Sequence, residues 1–316
     1  MDYRRLGRTG IKVSPLCLGT VNFSERTPLE ESLSIIHRAL DEGINFIDTA
    51  NVYGGGRAEE VVGQALAGRR QDIVLATKVW GKAGDGPNDR GLTRRHILTA
   101  IEDSLRRLQT DHVDLYQLHS PDPETPMEET LSALTDLVRS GKVRYIGTSN
   151  YAAWQIAHAH GLSALRSWEY FVSEQPEYSL MDRHIEAELV PFAQNKGLAI
   201  LPWSPLAGGL LSGRYSRDDA VPAGSRREVS YWMPAPQKID ARLGLVEQLG
   251  QLAAAAGTTL PQLALAWVCR QPGITSPIIG PRTMAHLEDN LAALAVAIPD
   301  DLADRIDALI PPGAVA

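Results

Sequence analysis

The sequence predicts one (β/α)8 barrel spanning residues 1–316. Three observations point to it. Short apolar runs recur without polar alternation, the pattern of strands buried on both faces. Segments of helical period separate them, so successive strands are joined by crossovers and lie parallel. No G-x-G-x-x-G follows an early strand, and neither half shows a linker or a shift in composition. An open doubly wound sheet is therefore disfavoured, while a barrel of about 250 residues plus loops fits a 316-residue chain.

The elements follow in chain order. Cys17 lies in the apolar segment Pro15–Leu18 and reads as a small core residue. Strands are expected at Ile44–Asp48, Ile73–Val79, Val113–His119, Tyr145–Ser149, Tyr170–Gln175, Leu198–Trp203 and Ser276–Gly280, each a run of apolar residues closed by a polar or amphipathic one. A helix over 93–109 puts Ile97, Ile101, Leu105 and Leu108 on one face, with Thr93 as its N-cap. A helix over 127–140 carries Leu131, Leu134, Leu137 and Val138 and stops at Gly141, and one over 182–197 stops at Gly197. Ser212–Pro236 is rich in Arg, Asp, Ser and Pro without a period and reads as a long functional loop over one barrel face. A helix with Leu287 and Leu291 follows Gly280–Thr283, and a last helix covers 299–309.

Bulk properties narrow the function. Net charge is −7, with no run of basic residues, so no nucleic-acid partner is expected. Cys17 and Cys269 are the two cysteines, both read as core residues rather than a disulfide or metal pair, and no metal site is expected. The N-terminus lacks the apolar core of a secretory signal, and no stretch reaches the ~20 apolar residues of a membrane span. A cytoplasmic protein without a membrane partner is the expectation.

In a parallel barrel, chemistry belongs at the C-terminal ends of the strands. The residues there are Asp48 with Tyr53 in the following loop, then Lys78, His119, Ser149 with Asn150, Gln175, and Trp203 with Ser204. Alone, each has an ordinary structural explanation. Together, an acid, a tyrosine, a lysine and a histidine from three consecutive strand ends converge on one mouth. A tyrosine of ordinary pKa about 10 is a poor acid at neutral pH. A nearby ammonium favours tyrosinate, a carboxylate holds the ammonium, and a histidine orients the substrate oxygen. The set is a general acid aimed at a carbonyl and needs a hydride donor. The glycines at 54–56 let the chain turn back so that Tyr53 meets Lys78.

The spacing Asp48…Tyr53…Lys78…His119 resembles the catalytic tetrad of the aldo-keto reductases. Five further stretches match: LGTVNF (18–23), GINFIDTANVYGGGRAEE (43–60), GKVRYIGTSNY (141–151), WSPLAGGLLSGRY (203–215) and PIIGPRTMAHLEDNL (277–291). The resemblance implies a barrel that binds NADPH without a Rossmann motif and reduces a small aldehyde or ketone. It makes Tyr53 the proton donor, Lys78 its activator, Asp48 the partner of Lys78 and His119 the orienting group. Ser149, Asn150 and Gln175 would hold the nicotinamide carboxamide, with Trp203 stacked on the ring. Asp48 and the first matching stretch, with Gly19, Thr20 and Val21, would complete that end. Ser204, Pro205, Leu206, Gly208, Leu210, Gly213 and Arg214 would line the pyrophosphate loop. Gly280, Arg282 and His286, with Asp289 and Asn290, would receive the adenosine 2′-phosphate and adenine, which favours NADPH over NADH. His286 stands where the family more often has glutamine or arginine.

Phe23, Trp80, Trp154 and Tyr178, with the 212–236 loop, are candidate substrate-pocket residues. The LGTVNFS and IIGPRT stretches are similar to reductases of deoxysugar and polyketide pathways. Two other readings stand beside the reductase. One is a cofactor-binding docking subunit resembling potassium-channel β subunits. The other is an unrelated barrel using Lys78 in a Schiff base.

Overall fold

Eight parallel strands form the wall of the molecule in the computed structural model, which describes residues 1–215 and 236–316; most of the expected 212–236 loop lies outside the described residues. An antiparallel hairpin comes first, β1 (Arg4–Arg5) and β2 (Lys12–Val13). The wall then runs β3 (Cys17–Gly19), β4 (Phe46–Asp48), β5 (Val74–Val79), β6 (Val113–Leu118), β7 (Val143–Ser149), β8 (Phe171–Gln175), β9 (Ala199–Ile200) and β10 (Ile278–Ile279). They pair in the order β10-β3-β4-β5-β6-β7-β8-β9, all parallel. Amide hydrogens of Thr275 and Ile278 donate to the carbonyls of Ile200 and Pro202 (2.9 and 2.8 Å), joining the last strand to β9 and closing the (β/α)8 barrel.

The sequence reading starts the barrel at Ile44; the structure places β3 ahead of it. Three residues between Pro15 and a glycine are too short an apolar run to stand out. Asp48 thus ends the second barrel strand, not the first, and every later strand end moves up one place. The expected strands over 198–203 and 276–280 shrink to two residues each.

The outer helices are α1 (Leu29–Asp41), α2 (Arg57–Ala65), α3 (Arg94–Leu108), α4 (Met127–Arg139), α5 (Ala153–Arg166), α6 (Leu189–Lys196), α7 (Pro236–Ala255), α8 (Leu260–Arg270), α9 (Met284–Ala292) and α10 (Asp300–Leu309). The Thr93 hydroxyl accepts from the His96 amide as an N-cap (3.2 Å), and Gly141 and Gly197 take left-handed conformations where α4 and α6 stop. The helix expected from 182 begins at Leu189 instead. Pro191 has no amide hydrogen and suits only a first helical turn, so α6 starts just before it.

Side chains alternate across the wall. Cys17, Phe46, Val74, Ala76, Leu115, Ala199 and Leu201 pack inside the barrel with Leu6 of the hairpin. Leu18, Ile47, Leu75, Tyr116, Leu118, Ile146 and Ile200 pack outward against the helices. Both cysteines are free, and burial pushes the Cys269 thiol up to about 12. The hairpin and the first residues of the strands make the floor. The strand ends make the open mouth.

Candidate active site

Register brings the inward polar residues of neighbouring strands level with one another. Lys78 of β5 lies beside Gln117 of β6, and Ser149 of β7 beside Gln175 of β8. Asp48 ends β4, and its carboxylate reaches both groups. The Lys78 ammonium is fully buried and donates to Asp48 Oδ2, to the Thr49 carbonyl (2.9 Å) and to the Tyr53 hydroxyl (3.1 Å). Its three protons are therefore all engaged. Burial pulls the lysine down, but the Asp48 carboxylate and the Tyr53 contact outweigh it, and Lys78 is held above its ordinary value. The other carboxylate oxygen, Oδ1, accepts from Gln117 Nε2 and Gln175 Nε2, each at 2.9 Å.

Tyr53 reaches this group because the chain reverses just after β4. Gly54, Gly55 and Gly56 sit at φ of +59°, +65° and +97°, conformations that side chains with a Cβ resist. At Gly54 a Cβ would also lie 2.9 Å from Ser24 Oγ. His119 follows β6, its amide bonded to the Val79 carbonyl (2.9 Å), and its ring meets Tyr53 edge-on with centroids 5.7 Å apart. Burial and then the Lys78 charge push His119 down to about 3. It is neutral at physiological pH and offers a hydrogen bond without a charge.

The residues expected to hold a dinucleotide line the same mouth. Ser149 Oγ donates to the Gln175 carbonyl (2.8 Å). Asn150, at φ +63°, donates to the His119 carbonyl (3.1 Å) and accepts from Trp203 Nε1 (3.1 Å), which holds the indole to this strand end. Thr20 is buried and bonds the Asp48 carbonyl (3.2 Å), between strand-end Gly19 and half-exposed Val21. From Ser204 the chain makes a tight small-residue turn, with Gly208, Gly209 and Gly213 at positive φ and the Gly208 amide on Ser204 Oγ (3.1 Å). Leu206 packs against the core, while Pro205 and Leu210 are buried, so the Leu210 side chain is closed to a ligand. Across from this turn, Gly280 approaches Asn22, whose amide bonds the Gly280 carbonyl (3.0 Å). Burial, then the Arg26 and Arg214 guanidiniums, pull Arg282 below its ordinary value, and burial, Arg214 and Arg282 do the same to His286. The guanidiniums of Arg26 and Arg214 thus lie near enough to act on Arg282, which makes this end of the site positively charged. The helix α9 opens beside them with Thr283 as N-cap (3.3 Å to the His286 amide). Asn290 is buried there, whereas Asp289 is engaged by Gln262 of α8 (2.7 Å).

Two residues at the site are not among those read from the sequence. Gln117 stands two positions before His119 and so shares its inward face by the two-residue period, the one signal that marks it. Arg26 lies in a loop with no such signal. Two expected pocket residues lie elsewhere. Phe23 is fully buried core, and Tyr178 is buried against Trp267 with its hydroxyl donated to Glu186 (2.5 Å). Trp80 and Trp154 are exposed.

Comparison with known proteins places the chain in a family. The model of the aldo/keto reductase family matches residues 15–311. An uncharacterized oxidoreductase, YrpG of Bacillus subtilis, is 41% identical over 98% of this chain and 96% of its own. A probable voltage-gated potassium channel subunit beta of Arabidopsis thaliana is 40% identical over 94% and 92% of the two chains. One of Schizosaccharomyces pombe is 37% identical over 93% and 88%.

Proposed function

The chain belongs to the aldo/keto reductase family of oxidoreductases, and from that premise we propose that it reduces an aldehyde or ketone to an alcohol with NADPH. One observation carries the reading: the Lys78 ammonium bridges the Asp48 carboxylate and the Tyr53 hydroxyl at the barrel mouth. Tyr53 is the proton donor to the carbonyl oxygen. Lys78 stabilises the tyrosinate left behind, and Asp48 keeps Lys78 in place. Neutral His119 orients the carbonyl oxygen beside Tyr53. The nicotinamide, when bound, supplies the hydride. Ser149, Asn150, Gln175 and Trp203 would hold that end of the cofactor, the Ser204–Arg214 turn its pyrophosphate, and Arg282 with Arg26, Arg214 and His286 the 2′-phosphate. The crowded cations fit a dianion better than the free hydroxyl of NADH. A sugar- or polyketide-type carbonyl remains the substrate reading, carried by the similarity of LGTVNFS and IIGPRT.

The test is tryptophan fluorescence titrated with NADPH and NADH. With Trp203 at the ring position, NADPH should quench at lower concentration than NADH, and Arg282→Ala should remove the difference. Tyr53→Phe should keep NADPH binding and lose about 10²–10⁴-fold in carbonyl reduction. If neither nucleotide binds, the reading is wrong. Two relatives named as channel subunits support a second reading, a cofactor-binding regulatory subunit. Tight NADPH binding with no turnover on a carbonyl panel would favour that one.

A further inference from the structure

Gln117 is a polar side chain in the barrel lumen with no exposure to solvent. A leucine or methionine would fill similar space without the cost of taking an amide out of water. What the amide adds is its bonds. Its Nε2 donates to Asp48 Oδ1 (2.9 Å) and its Oε1 accepts from Gln175 Nε2 (3.1 Å), which also donates to Asp48 Oδ1 (2.9 Å). The ionised carboxylate only accepts, so both amides must turn their NH₂ groups toward it. That choice puts the Gln117 oxygen against the Gln175 NH₂ and turns the Gln175 oxygen away from Asp48.

We propose that Gln117 is a positioning residue. Through one hydrogen-bonded ring it sets the Asp48 carboxylate that holds Lys78 and the Gln175 amide that receives the nicotinamide carboxamide. The second half rests on the reductase reading; the first does not. Without the Gln117 donor, the negative charge of Asp48 concentrates on Lys78. Lys78 then stabilises tyrosinate less, and Tyr53 becomes a weaker acid. Gln175, with one acceptor gone, is no longer locked in one orientation.

Two variants test this. Gln117→Met keeps length and packing and removes both bonds. Gln117→Glu can donate to Asp48 only while protonated. The first readout is tyrosinate absorbance titrated in nucleotide-free protein, with each variant subtracted from its Tyr53→Phe counterpart. The second is NADPH affinity by tryptophan quenching. Gln117→Met should raise the Tyr53 titration by at least roughly half a pH unit and weaken NADPH about tenfold, the effect of one buried hydrogen bond. Gln117→Glu should bind NADPH nearly as wild type in mild acid and lose affinity as pH rises and the second carboxylate ionises. Should Gln117→Met fail to fold, that pH-dependent rescue decides. Wild-type titration with pH-independent NADPH affinity in the variants overturns the proposal. If wild type itself binds no NADPH, the reductase reading falls, and the tyrosine titration still judges the link from Gln117 to Tyr53.

Discussion

Glu174 is a buried carboxyl beside the site that the chemistry does not use. It occupies the outward face of β8, next to Gln175. Its Oε1 accepts from the Tyr151 amide (3.0 Å), and its Oε2 has no hydrogen-bond partner among the described residues. Burial pushes it up from 4.5 to about 8. Between those two values the unfolded chain releases this proton while the folded protein keeps it. The contribution to stability is therefore complete in acid below 4.5 and is lost as pH rises through 8. Glu174→Gln, neutral at all pH, should stabilise the protein at pH 8 by about 4 kcal/mol and change little near pH 4.5. Thermal unfolding at the two pH values measures the difference; an equal shift at both would show that burial of the charge is not the cause. At this scale the sequence was informative wherever a polar residue closes an apolar run, as at Asp48, Lys78, His119 and Gln175. It was silent on Arg26, which reaches Arg282 through a loop whose path depends on distant packing.

Helix packing decides what a glycine does. Gly63 lies inside α2, where alanine usually gains up to about 1 kcal/mol in helix propensity. Here a Cβ would stand 2.6 Å from the Arg107 carbonyl oxygen and 2.8 Å from the Leu108 carbonyl carbon of α3. Backbone cannot swing aside as a side chain can, and overpacking costs about 1–3 kcal/mol. The clash also bears on Arg107, whose guanidinium holds buried Glu59 (2.7 Å), which in turn accepts from Thr77 of β5 (2.5 Å). Gly63→Ala should lower the urea midpoint. Gly161→Ala in α5, where a Cβ meets nothing within 4 Å, should raise it. Two upward shifts would show that propensity rather than inter-helix contact governs both. Neither contact can be read from sequence, since both glycines are single breaks in helical patterns. The same limit hid β3 and the true start of α6: short elements are set by their neighbours, while α3 and α4 announce themselves through long apolar faces and caps.

The whole molecule separates its two ends. The polar candidate site gathers where the strands finish, and the floor is sealed by the hairpin that precedes β3. The alternation of buried runs and helices made the barrel legible; the floor was not, because two-residue strands leave no period. Leu6 has no exposure and packs on Cys17, Phe46 and Val172 from below. Next to it, Gly7 at φ +57° approaches so closely that a Cβ would lie 2.7 Å from the Val172 carbonyl oxygen. Arg4 ties the hairpin to the closing seam, donating to the carbonyls of Cys269, Ile274 and Thr275 (3.0, 3.2 and 3.2 Å). Leu6→Ala should cost about 2–5 kcal/mol, the range for a buried leucine that leaves a cavity. The polar ring at the mouth is built from strand ends that Leu6 does not touch. Below the lowered unfolding midpoint, NADPH affinity and kcat/KM should therefore match wild type. The pair of measurements separates support from site: if affinity falls along with stability, the floor and the mouth are coupled through the barrel core, and the division of labour argued here does not hold.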